Sequence, residues 1–593
     1  MEELKENAQN SQPKNVMGGG REQNKIKKNL FSSRGFIACV VGGLCLLVAI
    51  SMVITLFAVR SSAQKADAKT NIEFEATQVE KEQKVLISWE TDKSIEGVRV
   101  LVTRKGNVAY SALITDSSTL AKRKVELQVP YGKYDIEVAP VRNGRTSASK
   151  TKTVSVFTDE YVIAPLFATM PITYFTLQLD SITNNYTIPT FVWFERGSSW
   201  NYSEMPENVY IIPVANGQDI TGFNNIHDIF NETSAWIKEL YEMNSNSKFH
   251  LYYTDILGTG VLDATVGNNI PTSAYDVVLI TDGIGTYNSF NIHFEDAEDT
   301  QAVYSKMVET YNKLKQEIKD YGYYNTYSHD YCVNDEQFWG YSYVMAKEEP
   351  NVSWWITRYS GTMASNMQTQ LSELQSAGKL KTLSMGSMIP TDEESQSKLK
   401  KLYNFSDSYF KEAQEQNKKA LVILGTRTVY ETNFADYVKA MKNYYGEGYV
   451  YYYKGHPGTP TGLDSEKQKL LEDLGLIDID SSVAAELILL LNPDVYVAGY
   501  NSSTFDSVPA NQCCGMFDKN YEDCSYSYKD KFDFFMFAVT SENEKYGSLV
   551  SGEKCYVLQF ISNEKYDIAI YDAENNTMKF YKKSGETYSE VNK

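Results

Sequence analysis

The sequence predicts two α/β lobes in series, each a parallel sheet wound with crossover helices, preceded by a membrane-spanning helix and a small β-sandwich. Three observations carry this expectation. Residues 35–59 form a run of 25 without a charge, bracketed by Arg34 and Arg60 and long enough to cross a bilayer. Residues 71–157 alternate apolar and polar side chains in short runs separated by turn residues. From about residue 185 onward, short apolar strands alternate with amphipathic helical stretches, as in a parallel sheet with crossover helices.

Residues 1–34 carry five lysines and two arginines in an otherwise polar segment, expected to be a disordered basic tail. That basic excess places the amino terminus in the cytoplasm and everything after residue 60 across the membrane. The body is then extracytoplasmic, on a bacterial surface or in a Golgi lumen. A cleaved secretory signal is the alternative, although the run is longer than an ordinary signal core and so is the tail before it. A polar linker covers residues 60–70. Within 71–157, the runs Val85-Leu-Ile-Ser-Trp89, Val98-Arg-Val-Leu-Val102, Val125-Glu-Leu-Gln-Val129 and Tyr134-Asp-Ile-Glu-Val138 read as sandwich strands. They resemble a fibronectin type III or immunoglobulin-like module, which implies a spacer or docking surface without chemistry of its own.

The first lobe is expected over 185–385, with strands at Phe191–Phe194, Val209–Ile212, Phe249–Tyr253 and Val277–Ile280 and helices near 226–243 and 299–320. The second, over 386–549, opens at Ala420–Leu424 and runs through Tyr449–Tyr453 and Val495–Val497 to Phe534–Phe537. Residues 550–593 read as a small β extension, a strand pair. The net charge of −19 argues against a nucleic-acid binder, which would show a basic face. Beyond the apolar run lie Cys332, Cys513, Cys514, Cys524 and Cys555, too scattered for a disulfide framework. Cys513-Cys514 with Cys524 leaves two readings open, one bridge or reduced thiols. No cysteine has zinc-ligand spacing with a histidine.

The residues able to do chemistry gather at strand ends. A tyrosine-rich strand runs into Lys454-Gly455-His456-Pro457, and the apolar run Asn492–Tyr500 opens onto Asn501-Ser502-Ser503. Both turns fall at the carboxyl ends of parallel strands, where open α/β sheets take their ligands. A histidine, a lysine and two hydroxyls there can hold and protonate a leaving phosphate. Leu424-Gly425-Thr426-Arg427-Thr428 is a strand ending in a glycine–threonine turn, which lets a backbone approach a ligand and adds a donor. In Val483-Ala-Ala-Glu486-Leu-Ile-Leu-Leu490 a carboxylate precedes a wholly apolar stretch. It either needs polar partners or simply favours a helix amino terminus. In the first lobe, Thr281-Asp282-Gly283 closes an apolar strand, and His250 lies inside Phe249-His-Leu-Tyr-Tyr253. His227, His293 and His329 have no comparable context.

In this order and spacing, over roughly residues 240–540, the segments resemble bacterial sialyltransferases of glycosyltransferase family 80. The resemblance implies a GT-B fold of two Rossmann-like domains and an inverting transfer of sialic acid from CMP-sialic acid to a sugar hydroxyl of a glycan acceptor. It implies no metal or other cofactor. His456 then matches the general acid toward the departing CMP. Gly425, Thr426, Lys454, Gly455 and Pro457 match the nucleotide-side turns. Glu486 matches the acceptor of the ribose hydroxyls, and Ser502 and Ser503 match the phosphate-holding pair. Where the family places its acidic base this chain has Thr281, so Asp282, one residue on, is the candidate base or else caps the following turn. His250 falls where the family has a histidine contacting the donor sugar, and a buried strand histidine is the other account. Two alternatives stand beside this reading. One is a CDP-activated polyol-phosphate transferase of the teichoic-acid type, which shares a His-Pro turn and a later Ser-Ser turn. The other is a surface-anchored sugar-binding protein without turnover. The expected partners are a CMP-sugar donor, a glycan acceptor and, through residues 35–59, a membrane. Sequons such as Asn185-Tyr-Thr, Asn231-Glu-Thr and Asn404-Phe-Ser suit a glycosylating compartment, but Asn501-Ser-Ser is also a sequon and lies on the proposed phosphate turn.

Overall fold

A computed structural model describes residues 70–194, 201–212, 226–321, 339–426, 433–456, 465–479 and 483–593, all within one compact unit. The basic tail, the apolar run 35–59, Cys332, His329, Arg427, Thr428 and Pro457 lie outside the described residues. Among the described residues, no helix is long and apolar enough to cross a membrane.

Residues 72–156 hold β1 (Ile72–Gln78), β2 (Lys84–Thr91), β3 (Gly97–Arg104), β4 (Asn107–Ile114), β5 (Lys124–Gln128), β6 (Gly132–Arg142), β7 (Arg145–Thr146) and β8 (Lys150–Val156). They form two antiparallel sheets, β1-β2-β5 and β4-β3-β6-β7, with β8 also paired to β6. The alternation read from the sequence becomes the inner face: Val85, Ile87 and Trp89 of one sheet meet Val98, Val100, Val102, Ile136 and Val138 of the other.

The first α/β lobe contains β9 (Glu160–Leu166), β10 (Thr190–Phe194), β11 (Val209–Ile211), β12 (Lys248–Thr254), β13 (Tyr275–Ile280), β14 (Val352–Ile356) and β15 (Leu380–Thr382). Every pairing is parallel, in the order β11-β10-β9-β12-β13-β14-β15. This lobe therefore begins at Glu160, not at residue 185. The run Tyr161-Val-Ile-Ala-Pro-Leu166 follows the last sandwich strand closely and carries Pro165, which argues against a central strand. It is nevertheless the strand from which the sheet grows in both directions. The helix Thr169–Leu177 then returns across the sheet, with Phe175 against Tyr252 and Phe194.

The second lobe contains β16 (Lys419–Leu424), β17 (Tyr449–Lys454), β18 (Ile477–Ile479), β19 (Tyr496–Gly499), β20 (Cys513–Phe517) and β21 (Phe534–Val539). These run parallel in the order β18-β17-β16-β19-β20-β21. The carboxyl-terminal residues are a larger feature than a strand pair. β22 (Cys555–Phe560), β23 (Ile568–Asp572), β24 (Thr577–Ser584) and β25 (Thr587–Val591) continue the same sheet in antiparallel fashion beyond β21. Cys513, Cys514, Cys524 and Cys555 are buried free thiols, and burial pushes Cys513 and Cys514 up to about 12. The open alternative thus resolves toward reduced cysteines. The helix Glu393–Leu402 belongs spatially to the first lobe: its Leu399 and its C-cap Tyr403 pack with Ile172 and Phe175, and the Tyr403 hydroxyl meets Thr176 Oγ1 at 2.6 Å.

Candidate functional site

Numbered by appearance within each lobe, both sheets contain the strand order 3-2-1-4-5-6, the doubly wound arrangement of Rossmann-like domains, extended by a seventh parallel strand in the first lobe and by the antiparallel β22–β25 in the second. Ligands of such sheets bind beyond the carboxyl ends of the strands where the order reverses. In the second lobe that point lies between β16 and β19, where Leu424 pairs with Gly499. Gly499 has φ +138°, and a Cβ there would stand 2.3 Å from the Leu424 carbonyl oxygen, so only glycine permits this approach.

The motif residues of the second lobe surround this point. Gly425 follows β16 and donates its N–H to the Lys454 carbonyl at 3.0 Å, tying the ends of β16 and β17 together. Gly455 and His456 continue from β17, with Lys454 buried and His456 half-buried. Thr426 is half-buried beside them. On the other side of β16, the chain leaves β19 through Tyr500 into Asn501-Ser502-Ser503. Glu486, on the helix Ala485–Leu490, is buried and accepts from the hydroxyls of Ser503 at 3.2 Å and Thr504 at 3.0 Å, both on Oε1. The Ser502 hydroxyl donates to Thr504 Oγ1 at 3.0 Å. The carboxylate therefore sits against the serine turn with hydroxyl partners, which meets the need of a buried charge.

The first lobe offers the turn after β13. Thr281 is fully buried, and its hydroxyl meets Thr286 Oγ1 and accepts from the Gly283 N–H, both at 2.9 Å. It caps the turn from inside. Asp282 is only partly buried and is the acidic side chain of this turn that a ligand can reach. Gly283 has φ +89°, and a Cβ there would lie 2.9 Å from Ser503 Cβ. The Asp282-Gly283 turn of the first lobe thus rests on the Ser502-Ser503 turn of the second.

A second bridge lies beside the first. Arg358, just beyond β14, ion-pairs with Asp506 and donates to Ser527 Oγ at 3.0 Å and the Asp506 carbonyl at 3.2 Å. Between the lobes here lies a cleft of about 410 Å³, lined among others by Tyr287, Asn288, Ser503, Asp506, Tyr526 and Tyr528. Of the sequence-predicted site residues, Ser503 alone lines that cleft.

No family model matches the sequence, and no curated protein does. Solved structures similar to the chain include bacterial sialyltransferases. The enzyme from Photobacterium damsela is 14% identical over 78% of this chain and 94% of its own, with a TM-score of 0.43. A 2,6-sialyltransferase of a Photobacterium species, solved with CMP and lactose, is 14% identical over 76% of this chain and 88% of its own, TM-score 0.45. An α-2,3-sialyltransferase of Photobacterium phosphoreum is 13% identical over 63% of this chain and 95% of its own, TM-score 0.45.

His250 is not brought to this site. It lies in the first half of β12, in register with Asp276 of β13, and its Nδ1 meets Asp276 Oδ2 at 2.8 Å. The strand's carboxyl end, four residues on, is Thr254. Its side chain pairs with Asp276 and is only partly buried, so it is a strand histidine but not the buried one the sequence allowed.

Asp255, directly after β12, is a residue that sequence reasoning missed. It is buried and accepts from the Asp282 N–H at 3.0 Å, Thr286 Oγ1 at 2.7 Å and Trp354 Nε1 at 2.8 Å, so it holds the Asp282 turn from beneath. An aspartate at a strand end reads as an ordinary turn residue, and nothing local announces these partners. Burial pushes its carboxyl up to about 6 against the pull of the three donors. The folded chain then binds this proton more tightly than the unfolded chain does. The stability it contributes is full below the unfolded value and is lost as pH rises through about 6. Urea midpoints should therefore fall for the natural protein relative to Asp255→Asn between pH 4.5 and 7.5, and parallel curves would refute this assignment.

Proposed function

We propose that the chain is an inverting glycosyltransferase that moves sialic acid from CMP-sialic acid to a sugar hydroxyl. The observation that carries the reading is the meeting of the second lobe's switch-point turn with the turn after β13 of the first lobe. Ser502-Ser503, with Glu486 behind and Lys454-Gly455-His456 across β16, faces Asp282-Gly283 of the other lobe.

Gly425 and Thr426 approach the nucleotide, Glu486 serves its ribose side, and Ser502, Ser503 and Lys454 hold the phosphate. Asp282 takes the proton from the acceptor hydroxyl as its oxygen bonds to the anomeric carbon. The bond from that carbon to the phosphate oxygen breaks, and CMP leaves with the electron pair while His456 stabilises and protonates it. Attack opposite the leaving group inverts the anomeric centre. The protein groups alone carry each of these steps.

Tethering through residues 35–59, with the body outside the cytoplasm, is part of the same proposal. The Asn501 side-chain amide is held by the hydroxyls of Tyr526 and Tyr528. A glycan on that nitrogen would break the hold, which supports a bacterial surface over a glycosylating compartment.

The burial of Thr281 favours one other reading, a sugar-binding protein of this fold without turnover. Equilibrium binding of CMP is the test of the site itself. The full chain should bind CMP in preference to CDP-glycerol, and Ser502→Ala with Ser503→Ala should weaken CMP by roughly 10- to 100-fold, since hydrogen bonds to a charged phosphate are the strong kind. Preference for CDP-glycerol, or an affinity indifferent to the serines, would overturn the assignment.

A further inference from the structure

The loop between β20 and β21 is nowhere in the motif set, yet it grips the serine turn. Tyr526 Oη accepts from Asn501 Nδ2, and the Tyr528 hydroxyl donates to Asn501 Oδ1. Both polar ends of the Asn501 side chain are thereby engaged, immediately before Ser502. Burial raises both tyrosine hydroxyls above their ordinary range, so they stay protonated and Tyr528 remains a donor at physiological pH. The two rings are stacked, with centroids 5.3 Å apart and planes 2° from parallel, so the hydroxyls form a fixed fork. The fork is braced from the first lobe: the Arg358 guanidinium lies 5.7 Å from the Tyr528 ring centroid and bonds Ser527 between the two tyrosines. The far end of the turn is pinned as well, because Lys531 Nζ donates to the carbonyls of Phe505, Asp506 and Val508 at 3.0, 3.0 and 2.8 Å.

We propose that Tyr526 and Tyr528 are positioning residues that hold the Asn501–Ser503 turn in the shape that receives a phosphate. The inference rests on the nucleotide reading of the site. Neither hydroxyl has a place in the reaction; both act through Asn501. Their removal should therefore weaken phosphate recognition while leaving the base and ribose contacts untouched.

Tyr526→Phe and Tyr528→Phe, singly and together in the full chain, keep the ring stack and delete only the fork. The probes are CMP, cytidine and inorganic phosphate, with the thermal midpoint as a check on folding. The double variant should lose roughly tenfold in affinity for CMP and for phosphate, with cytidine unchanged and folding retained. Equal losses for CMP and cytidine would mean a general structural role and would overturn the proposal, as would unchanged CMP binding. If the natural chain binds phosphate but not CMP, the nucleotide reading fails while phosphate loss in the variants still upholds the fork. If the natural chain binds neither, both fall.

Discussion

Replacing Asp282 by asparagine is expected to lower kcat for sialyl transfer by about two to four orders of magnitude while leaving CMP affinity within roughly twofold. The argument comes from the turn after β13. Thr281, at the position expected for the acid, is fully buried, and its hydroxyl is committed to Thr286 and to the Gly283 N–H. A hydroxyl in that setting has no basicity near neutral pH. Asp282 is the turn's accessible carboxylate, and its backbone N–H is fixed by Asp255 and Thr286 at 3.0 and 2.9 Å. Asparagine preserves the size and the backbone contacts but removes the basic oxygen. Adding Thr281→Asp should not restore the rate, because a carboxylate there would be desolvated without matching donors. A kcat unchanged in Asp282→Asn would place the base elsewhere.

His456→Ala should reduce kcat/KM by about two to four orders of magnitude. The residue lies two past the end of β17, one strand from the switch point, and Gly425 ties the two strand ends together through the Lys454 carbonyl. In the proposed reaction, charge builds on the phosphate oxygen as the sugar departs, and an imidazolium beside it would both stabilise and protonate it. A variant that keeps most of the rate would assign this role to another group.

Much of this architecture was legible because the signals are local. Alternation in Val85–Trp89 and Val98–Val102 marks half-buried strands, and continuous runs such as Ala420–Leu424 mark strands covered on both faces. The serine and histidine turns were legible because short polar motifs interrupt such runs. What escaped is non-local. β9 hides behind Pro165 and a short connection, although it founds the first sheet. Asp255 is one aspartate among many until three donors from distant segments converge on it. Tyr526 and Tyr528 sit 25 and 27 residues from the asparagine they hold, in a chain with 44 tyrosines, so spacing alone cannot single them out. His250 misled for the converse reason: a histidine on a strand says nothing about which end of the sheet it occupies until the register with Asp276 is known.

The central claim is that the site where the Ser502-Ser503 and Asp282-Gly283 turns meet transfers sialic acid. Its most direct test is release of CMP from CMP-sialic acid by the full chain, with and without lactose, beside His456→Ala. The account predicts lactose-stimulated release, a sialylated product, and loss of both in the variant. Tight CMP binding with no release under either condition would contradict it and leave a sugar-nucleotide-binding protein in place of a transferase.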